Sequence, residues 1–197
     1  LVGDSSALPF LLEALLNDRD PVVQGSSASS IAVFGEEAID HLIKVLENPK
    51  SSEMQSGLAS WCLAFIGASG SKRLKEAAKS TNAKVRASAI AALGEQIQSF
   101  DDKEAKYLVS NALNDSSYEV QIEAIKLIGL LEDEDWDINL LASKLNHGEP
   151  EIRKQSSLTL MKLNAINQIE KLKECIIKEK NIEVKNILNL SIKKLVD

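Results

Sequence analysis

The sequence predicts an all-α protein, a right-handed α-solenoid of about six helix pairs with about 32 residues in each pair. Three observations lead to this fold class. A short motif recurs at regular intervals along the 197 residues. Preferred helix N-cap residues stand just before most copies of that motif. Aromatic residues make up only 4% of the chain, whereas Ala, Leu, Ile and Ser are abundant, a composition that favours close-packed helices over β-sandwiches.

The recurring motif is an apolar residue followed directly by a long polar residue. Its six copies are Val23-Gln24, Met54-Gln55, Val85-Arg86, Val120-Gln121, Ile152-Arg153 and Val184-Lys185. Successive copies are separated by 31, 31, 35, 32 and 32 residues. Because unrelated apolar–polar pairs do not keep such spacing over six cycles, the chain is predicted to consist of repeats.

Each copy of the motif marks the beginning of the second helix of a pair. The residues three positions earlier are the predicted N-caps: Asp20, Ser51, Asn82, Ser117, Glu149 and Asn181. Pro21 and Pro150 follow two of these caps, at the first helical position, where proline is best tolerated. Gly35, Gly67, Gly94 and Gly129 are predicted to close four of the helices in a left-handed conformation.

A first helix is predicted before every copy of the motif, from apolar residues at i, i+3 and i+4 spacing such as Leu8, Leu11 and Leu12. We expect one domain over residues 1–197 with repeats near 5–35, 36–67, 70–94, 103–131, 136–164 and 166–197. The longest irregular passages are expected at 98–102 and 132–137. The opening Leu1-Val2-Gly3-Asp4 resembles the end of an earlier repeat, so a fragment of a longer chain is expected.

Charge and composition exclude several classes of protein. The 29 acidic and 23 basic residues give a net charge of −6, which disfavours a general nucleic-acid-binding surface. No apolar run approaches the roughly 20 residues that cross a bilayer, so no membrane partner is expected. The two cysteines lie far apart in a chain without a disulfide pattern. This use of cysteine predicts a reducing, cytoplasmic location.

The second helices are expected to line the concave face of the solenoid, which is the usual binding surface of such folds. In repeats one to three these helices are rich in Gly, Ala and Ser. Either these residues allow tight helix packing, or they form a smooth groove for a flat ligand or a partner helix. The candidate binding residues on this face are Gln24, Gln55, Trp61, Cys62, Arg86, Gln121 and Arg153.

Each candidate has two interpretations. Trp61 either stacks on a flat conjugated ligand or packs in the core. Cys62 has no histidine near it in the sequence, which favours a structural thiol over a nucleophile. The polar residues of the motif are either donors for ligand carboxylates or rungs of a ladder contacting neighbouring turns. Trp136, within the acidic run 132–137, either lies in a solvated loop or anchors a basic partner.

The sequence contains no recognisable catalytic constellation. His41 and His147 stand on separate repeats without metal-ligand spacing, so neither a metal site nor a catalytic residue is predicted. His41 precedes Leu42 and His147 precedes Gly148, so no His-Glu pair of the kind that binds iron is present either. There is no phosphate-binding glycine loop and no nucleophile elbow.

Two segments carry a resemblance to a known family, the short HEAT-like repeats named after phycobilisome lyases. They are Gly3-Asp4-Ser5-Ser6-Ala7-Leu8-Pro9-Phe10-Leu11-Leu12-Glu13-Ala14-Leu15 and Asn82-Ala83-Lys84-Val85-Arg86-Ala87-Ser88-Ala89-Ile90-Ala91-Ala92-Leu93-Gly94. The likeness spans the whole chain and is specific for the type of repeat. Repeats one and two depart from it, because 12 and 13 residues separate the motif from the closing glycine, against nine in repeats three and four. Repeats five and six lack the closing glycine. As a whole the chain looks most like the cyanobacterial E/F-type phycobiliprotein lyases and their relatives.

The resemblance implies a protein that positions an open-chain tetrapyrrole, a bilin, for thioether attachment to, or removal from, a cysteine of a phycobiliprotein subunit. A phycobilin is then a substrate rather than a permanent cofactor, and a second HEAT-repeat subunit is a further expected partner. The resemblance makes Arg86 and Arg153 the expected partners of the propionate carboxylates of the bilin. The alternative is a scaffold without catalytic activity, in iron–sulphur assembly or phycobilisome turnover, with Trp61, Trp136 and Tyr118 as contacts to a partner protein.

Overall fold

The computed structural model describes residues 4–131 and 135–196, and these residues form helices joined by short turns. The chain divides into two compact units, unit 1 (Leu1–Leu108) and unit 2 (Val109–Asp197), with the division inside one helix. The described helices of unit 1 are α1 (Leu8–Asn17), α2 (Pro21–Ala32), α3 (Glu36–Glu47), α4 (Glu53–Ile66), α5 (Ser71–Ala77), α6 (Ala83–Ala91) and α7 (Gly94–Phe100). Helix α8 (Lys103–Ala112) contains the division. Those of unit 2 are α9 (Tyr118–Leu131), α10 (Ile138–Ser143), α11 (Pro150–Lys162), α12 (Ile169–Lys178) and α13 (Ile182–Val196).

Unit 1 contains three helix pairs, which are followed by α7 and the first part of α8. Helices α2, α4 and α6 are the second helices of these pairs and pack side by side in sequence order. Helices α1, α3 and α5 each pack against their own partner on one side of that row. The core between the two rows contains fully buried residues such as Leu15, Ile31, Leu42, Leu63 and Leu74.

Unit 2 repeats this arrangement with helices α9, α11 and α13 as the row of second helices. Helix α10 packs against α11, and α12 packs against α13. Gly129 lies inside α9 rather than at its end, which corrects the sequence prediction. A Cβ at this position would lie only 2.7 Å from Oγ1 of Thr159 on α11, so the glycine permits a close approach of two helices.

Gly35 and Gly67 have positive φ, as predicted, but only Gly67 directly follows its helix, α4, whereas Gly35 is the N-cap of α3 rather than the end of α2. Their ψ values near −130° place them outside the left-handed helical region, in backbone conformations that essentially only glycine adopts. The predictions for the next segment were wrong. Gly94 is the first residue of α7 rather than a helix end, and residues 98–100 belong to that helix instead of an irregular passage.

The predicted N-caps are confirmed where the side chain accepts a hydrogen bond from the first turn. Asp20, Asn82 and Asn181 do so for α2, α6 and α13. Glu149 precedes α11 but makes no such bond. The cap of α4 is Ser52 rather than Ser51, because Ser52 and Gln55 form a reciprocal capping box.

Candidate functional site

The polar residue of the repeated motif holds the turn that precedes its own helix. This residue lies four positions after the N-cap, and its side chain donates to the turn carbonyls five or six residues earlier. Gln24 Nε2 donates to Asp18 O at 2.9 Å, and Gln121 Nε2 donates to Asp115 O at 2.8 Å. The other bonds of this kind come from Arg86 Nη1, to the carbonyls of Ser80 and Thr81, and from Arg153 Nη1, to those of His147 and Gly148.

Gln55 does not share this position. Because α4 is capped by Ser52, Gln55 lies three residues after the cap, and its Nε2 reaches back to Asn17 Oδ1 at 3.1 Å. The apolar member of the same motif, Met54, is 66% exposed, whereas Val23 is 36% exposed and Val85, Val120 and Ile152 are buried. The copy of the motif in α4 therefore lies one residue before the position that corresponds to the other copies.

Arg153 also forms a buried ion pair in unit 2. Its Nε and Nη2 atoms each donate to one carboxylate oxygen of Glu179 at 2.7 Å. The Glu179 side chain is only 4% exposed. The hydrogen bonds from Arg153 lower the pKa of Glu179 from its ordinary value near 4.5 to about 2. Since Nε, Nη1 and Nη2 of Arg153 all have partners within unit 2, its role here is structural.

The most distinctive surface in unit 1 is the exposed side of α2, α4 and α6, which we call the Trp61 face. It consists of residues two, five and nine positions after each N-cap, together with the ends of α2 and α4. All its members except Ala87 are exposed or half-buried. The members are Val22, Gly25, Ser29, Val33, Met54, Gly57, Trp61, Phe65, Lys84, Ala87 and Ala91.

Trp61 lies at the centre of this face, on α4. Its side chain is 40% exposed, and its ring forms an edge-to-face pair with Phe65, with 4.8 Å between the centroids. A Cβ on Gly25 of α2 would meet the far edge of the indole, Cη2, at 3.8 Å. The indole is thus close to the backbone of α2 and supported by Phe65, while part of its surface remains open to solvent.

Cys62 does not belong to the Trp61 face, although the sequence analysis grouped it with Trp61. Consecutive residues of a helix point about 100° apart, so the side chain of Cys62 points into the core while that of Trp61 points outward. It is fully buried, and its Sγ donates to Ala28 O at 3.6 Å. Burial raises the pKa of the Cys62 thiol to about 12 and also raises the pKa of the Cys175 thiol in unit 2.

We expect both native thiols to resist modification at pH 8, because the thiolate is the reactive form and burial disfavours it. Labelling with Ellman's reagent is predicted to be at least about 100-fold slower in native protein than in concentrated guanidinium chloride. A Ser29→Cys variant, with an exposed thiol on the Trp61 face, serves as the control and should react at once. Rapid labelling of two thiols in the native wild type would contradict this burial.

The first-turn positions of the corresponding surface of unit 2 are charged instead of apolar. Two residues after their N-caps, α9, α11 and α13 carry Glu119, Glu151 and Glu183. Lys154 Nζ lies 2.6 Å from Glu151 and 2.9 Å from Glu183, so this surface is occupied by ion pairs. The acidic run 132–137 lies partly outside the described residues. Its Trp136 is only 5% exposed, so it is not an available anchor for a partner.

Within the described residues, no group of three or more His, Cys, Asp or Glu side chains is arranged to hold a metal ion. The described helices are also too short or too polar to span a membrane.

Comparison with protein-family models identifies the repeats. The model for HEAT repeats matches residues 70–135 and 105–193, which together span more than half of the chain. The chain belongs to the HEAT-repeat family. The predicted all-α, HEAT-type solenoid fold class is therefore confirmed.

This HEAT-repeat protein is similar to the bilin biosynthesis protein MpeU of Synechococcus sp. (strain WH8020). The two are 36% identical over an alignment of 214 positions, which covers 92% of this chain and 72% of MpeU. The resemblance to HEAT-like proteins of the phycobilisome lyase type is confirmed by this relative.

Two solved structures show the same fold at low sequence identity. Kap121p superposes with a TM-score of 0.69 at 13% identity, over 96% of this chain and 25% of Kap121p. A designed armadillo repeat protein in complex with the peptide (KR)4 gives 0.57 at 20% identity, over 95% of this chain and 99% of the designed protein. At these identities the likeness concerns the fold of the HEAT-repeat chain alone.

Three features of the surface were not found by sequence reasoning. They are the register shift at Met54, the outward direction of Trp61 but not Cys62, and the position of Lys84 on the Trp61 face. The helix register could have revealed the last two, because residues at matching distances from the N-caps share a face. The prediction that the motif residues bind a ligand stays a prediction.

Proposed function

We propose that this HEAT-repeat protein positions a bilin for thioether attachment to, or removal from, a cysteine of a phycobiliprotein subunit. The observation that carries the proposal is the exposed Trp61 on a face of small side chains, in a chain 36% identical to a bilin biosynthesis protein.

The Trp61 face suits a flat conjugated ligand for two reasons. The small residues Gly25, Ser29 and Gly57 leave the helix backbones open to close approach, and a Cβ on Gly57 would meet no atom within 4 Å. The exposed indole offers a large, rigid surface for stacking on a π-system. Phe65 holds the indole from one side, so little side-chain entropy is lost when a ligand binds.

The reacting thiol in this proposal belongs to the phycobiliprotein. Cys62 and Cys175 are buried and their thiols have raised pKa values, so neither is suited to attack a ligand. The substrate thiol adds across a carbon–carbon double bond of the bilin. Sulfur forms the new bond, the thiol proton moves to the neighbouring carbon, and no oxidant or reductant is consumed. The HEAT-repeat chain contributes by holding the reactive carbon near the acceptor thiol.

In this proposal most of the predicted site residues fix the geometry of the turns and do not contact the bilin. Gln24, Arg86 and Gln121 donate to turn carbonyls and fix the geometry of the turns that precede the second helices. The role of propionate clamp, which the resemblance suggested for Arg86 and Arg153, is given up for Arg153 because its donors serve Glu179 and the turn.

The proposal is tested by titrating the purified protein with phycocyanobilin and recording the visible absorption and fluorescence. Binding to the wild type should sharpen and red-shift the long-wavelength band. Trp61→Ala should weaken binding at least about tenfold, because it removes the stacking surface. Gly57→Leu should have a similar effect, since Gly57 is exposed, its added Cβ meets no atom within 4 Å, and the rest of the side chain would occupy the face.

Phe10→Ala is the matched control. It removes an aromatic side chain that is exposed on α1, away from the Trp61 face, and should leave the titration unchanged. If the wild type produces no spectral change with the bilin but binds a phycobiliprotein subunit without it, the proposal fails and the scaffold is the better description. If the bilin binds equally to Trp61→Ala and Gly57→Leu, the site has been placed wrongly.

A further inference from the structure

Lys84 stands on the Trp61 face in a position where the local helix electrostatics oppose a cation. It is the second residue of α6, and its backbone N–H donates to the side chain of the N-cap, Asn82. The partial positive charge at a helix N-terminus favours acidic side chains there and disfavours basic ones. The second helices of unit 2 follow that preference, with Glu119, Glu151 and Glu183 at the same position.

The surroundings of Lys84 do not compensate for this placement. The side chain is exposed, and the first turn of α6 contains no acidic residue. Among the described residues, no carboxylate lies within ion-pairing distance of its Nζ atom. Lys75, Lys79 and Lys154, by contrast, all form ion pairs.

The location of Lys84 relative to Trp61 suits an elongated ligand. Corresponding positions on α2 and α4 carry Val22 and Met54, so Lys84 ends an otherwise apolar row across the Trp61 face. Lys84 lies seven residues before Ala91, which is the α6 counterpart of Trp61. Seven residues of helix correspond to about 10 Å along the axis, and neighbouring helix axes lie about 9 Å apart.

From this geometry we infer that Lys84 pairs with a carboxylate of the ligand that stacks on Trp61, and so selects elongated conjugated acids over neutral ligands. The inference rests on the proposed function, because an open-chain tetrapyrrole with propionate groups is such an acid. Lys84 takes the role of carboxylate partner that the sequence analysis gave to Arg86, whose Nη1 is bonded to the Ser80 and Thr81 carbonyls. A cation on a flexible stem pairs with a mobile propionate without demanding one fixed geometry.

The test compares phycocyanobilin with its dimethyl ester, which keeps the π-system but has no carboxylate. Lys84→Gln should weaken binding of the free acid about five- to tenfold and leave binding of the ester unchanged. Lys84→Arg should bind the free acid like the wild type. Lys72→Gln, which removes an exposed charge from α5 away from the Trp61 face, is the matched control and should change neither titration.

Each outcome decides between the two claims. If Trp61→Ala loses the bilin while Lys84→Gln binds the free acid like the wild type, the role of Lys84 is wrong and the proposed function stands. If Lys84→Gln weakens the acid and the ester equally, Lys84 acts through shape rather than charge and the inference is overturned. If the wild type binds neither compound, the proposed function itself fails.

A second measurement, without ligand, examines the electrostatic contribution of Lys84. Lys84→Glu should raise the melting temperature of the free protein by about 2 °C, because it restores the favoured charge at the helix N-terminus. The same variant should bind the free acid more weakly than Lys84→Gln. A lower melting temperature for Lys84→Glu would mean that Lys84 stabilises α6, and its placement would then need no ligand.

Discussion

Replacing Arg153 by Ala is expected to lower the free energy of unfolding by about 2–3 kcal/mol at pH 7. The variant removes the bidentate partner of the Glu179 carboxylate, which keeps the hydrogen bonds from the Lys180 and Asn181 backbone N–H groups. It also removes the two bonds to the His147 and Gly148 carbonyls. Urea unfolding followed by circular dichroism measures the loss. Lys126→Ala, which breaks the more exposed pair with Glu123, should cost less than about 0.5 kcal/mol.

The pH dependence of stability distinguishes the contribution of the ion pair from that of side-chain packing. Because the folded-state pKa of Glu179 is depressed, its contribution to stability is complete above the unfolded value near 4.5. It is lost progressively as the pH falls from there through about 2. The difference in stability between the wild type and Arg153→Ala should therefore shrink at pH 3. A difference that stays constant from pH 7 to pH 3, or one below about 1 kcal/mol at pH 7, would contradict the role of the pair.

Gly67→Ala and Gly57→Ala are expected to change stability in opposite directions, because Gly57 lies within α4 and Gly67 directly follows its end. Gly67 has φ 48° and ψ −132°, a conformation that is strained for any other residue. Its added Cβ would also press against the Glu95 carboxylate, which accepts a 2.7 Å hydrogen bond from Ala68 N. We expect a loss of about 2–3 kcal/mol.

Gly57 lies inside α4, where a Cβ would meet nothing within 4 Å. Alanine there should raise the free energy of unfolding by about 0.5–1 kcal/mol, because it reduces the backbone entropy lost on folding. Both variants are measured by the same urea titration. A stabilising Gly67→Ala or a destabilising Gly57→Ala would show that the backbone of α4 and its end differs from this geometry.

The architecture was readable from the sequence because its determinants are local. An N-cap such as Asp20 or Asn82 and an apolar face after it are sufficient to place a helix, and the repetition of these signals gives the type of fold. The prediction failed where two local signals competed. Ser51 and Ser52 are both suitable caps, and only the reciprocal bond between Ser52 and Gln55 decides between them.

The site was less predictable from the sequence, because it depends on which way each side chain points and on which backbone carbonyls the side chains contact. Trp61 and Cys62 are adjacent in the sequence, and the helix register alone sends one to the surface and the other to the core. The residues Gln24, Arg86 and Gln121 were correctly recognised as equivalent. Their hydrogen-bond partners, however, are backbone carbonyls. Because every residue has a carbonyl, the sequence does not indicate which carbonyl accepts the bond.

The bonds from Gln24, Arg86, Gln121 and Arg153 to their own turns bear on how such a protein changes length during evolution. Each of these bonds joins two atoms of the same repeat, so duplication of a repeat duplicates its bond, and deletion removes both partners together. Gain or loss of a whole repeat during evolution therefore leaves none of these turns without its hydrogen bond. Gln55 is different, since its bond to Asn17 crosses into the preceding repeat. Loss of either of the first two repeats would therefore break a bond, and the same holds for repeats five and six, which the ion pair between Arg153 and Glu179 joins.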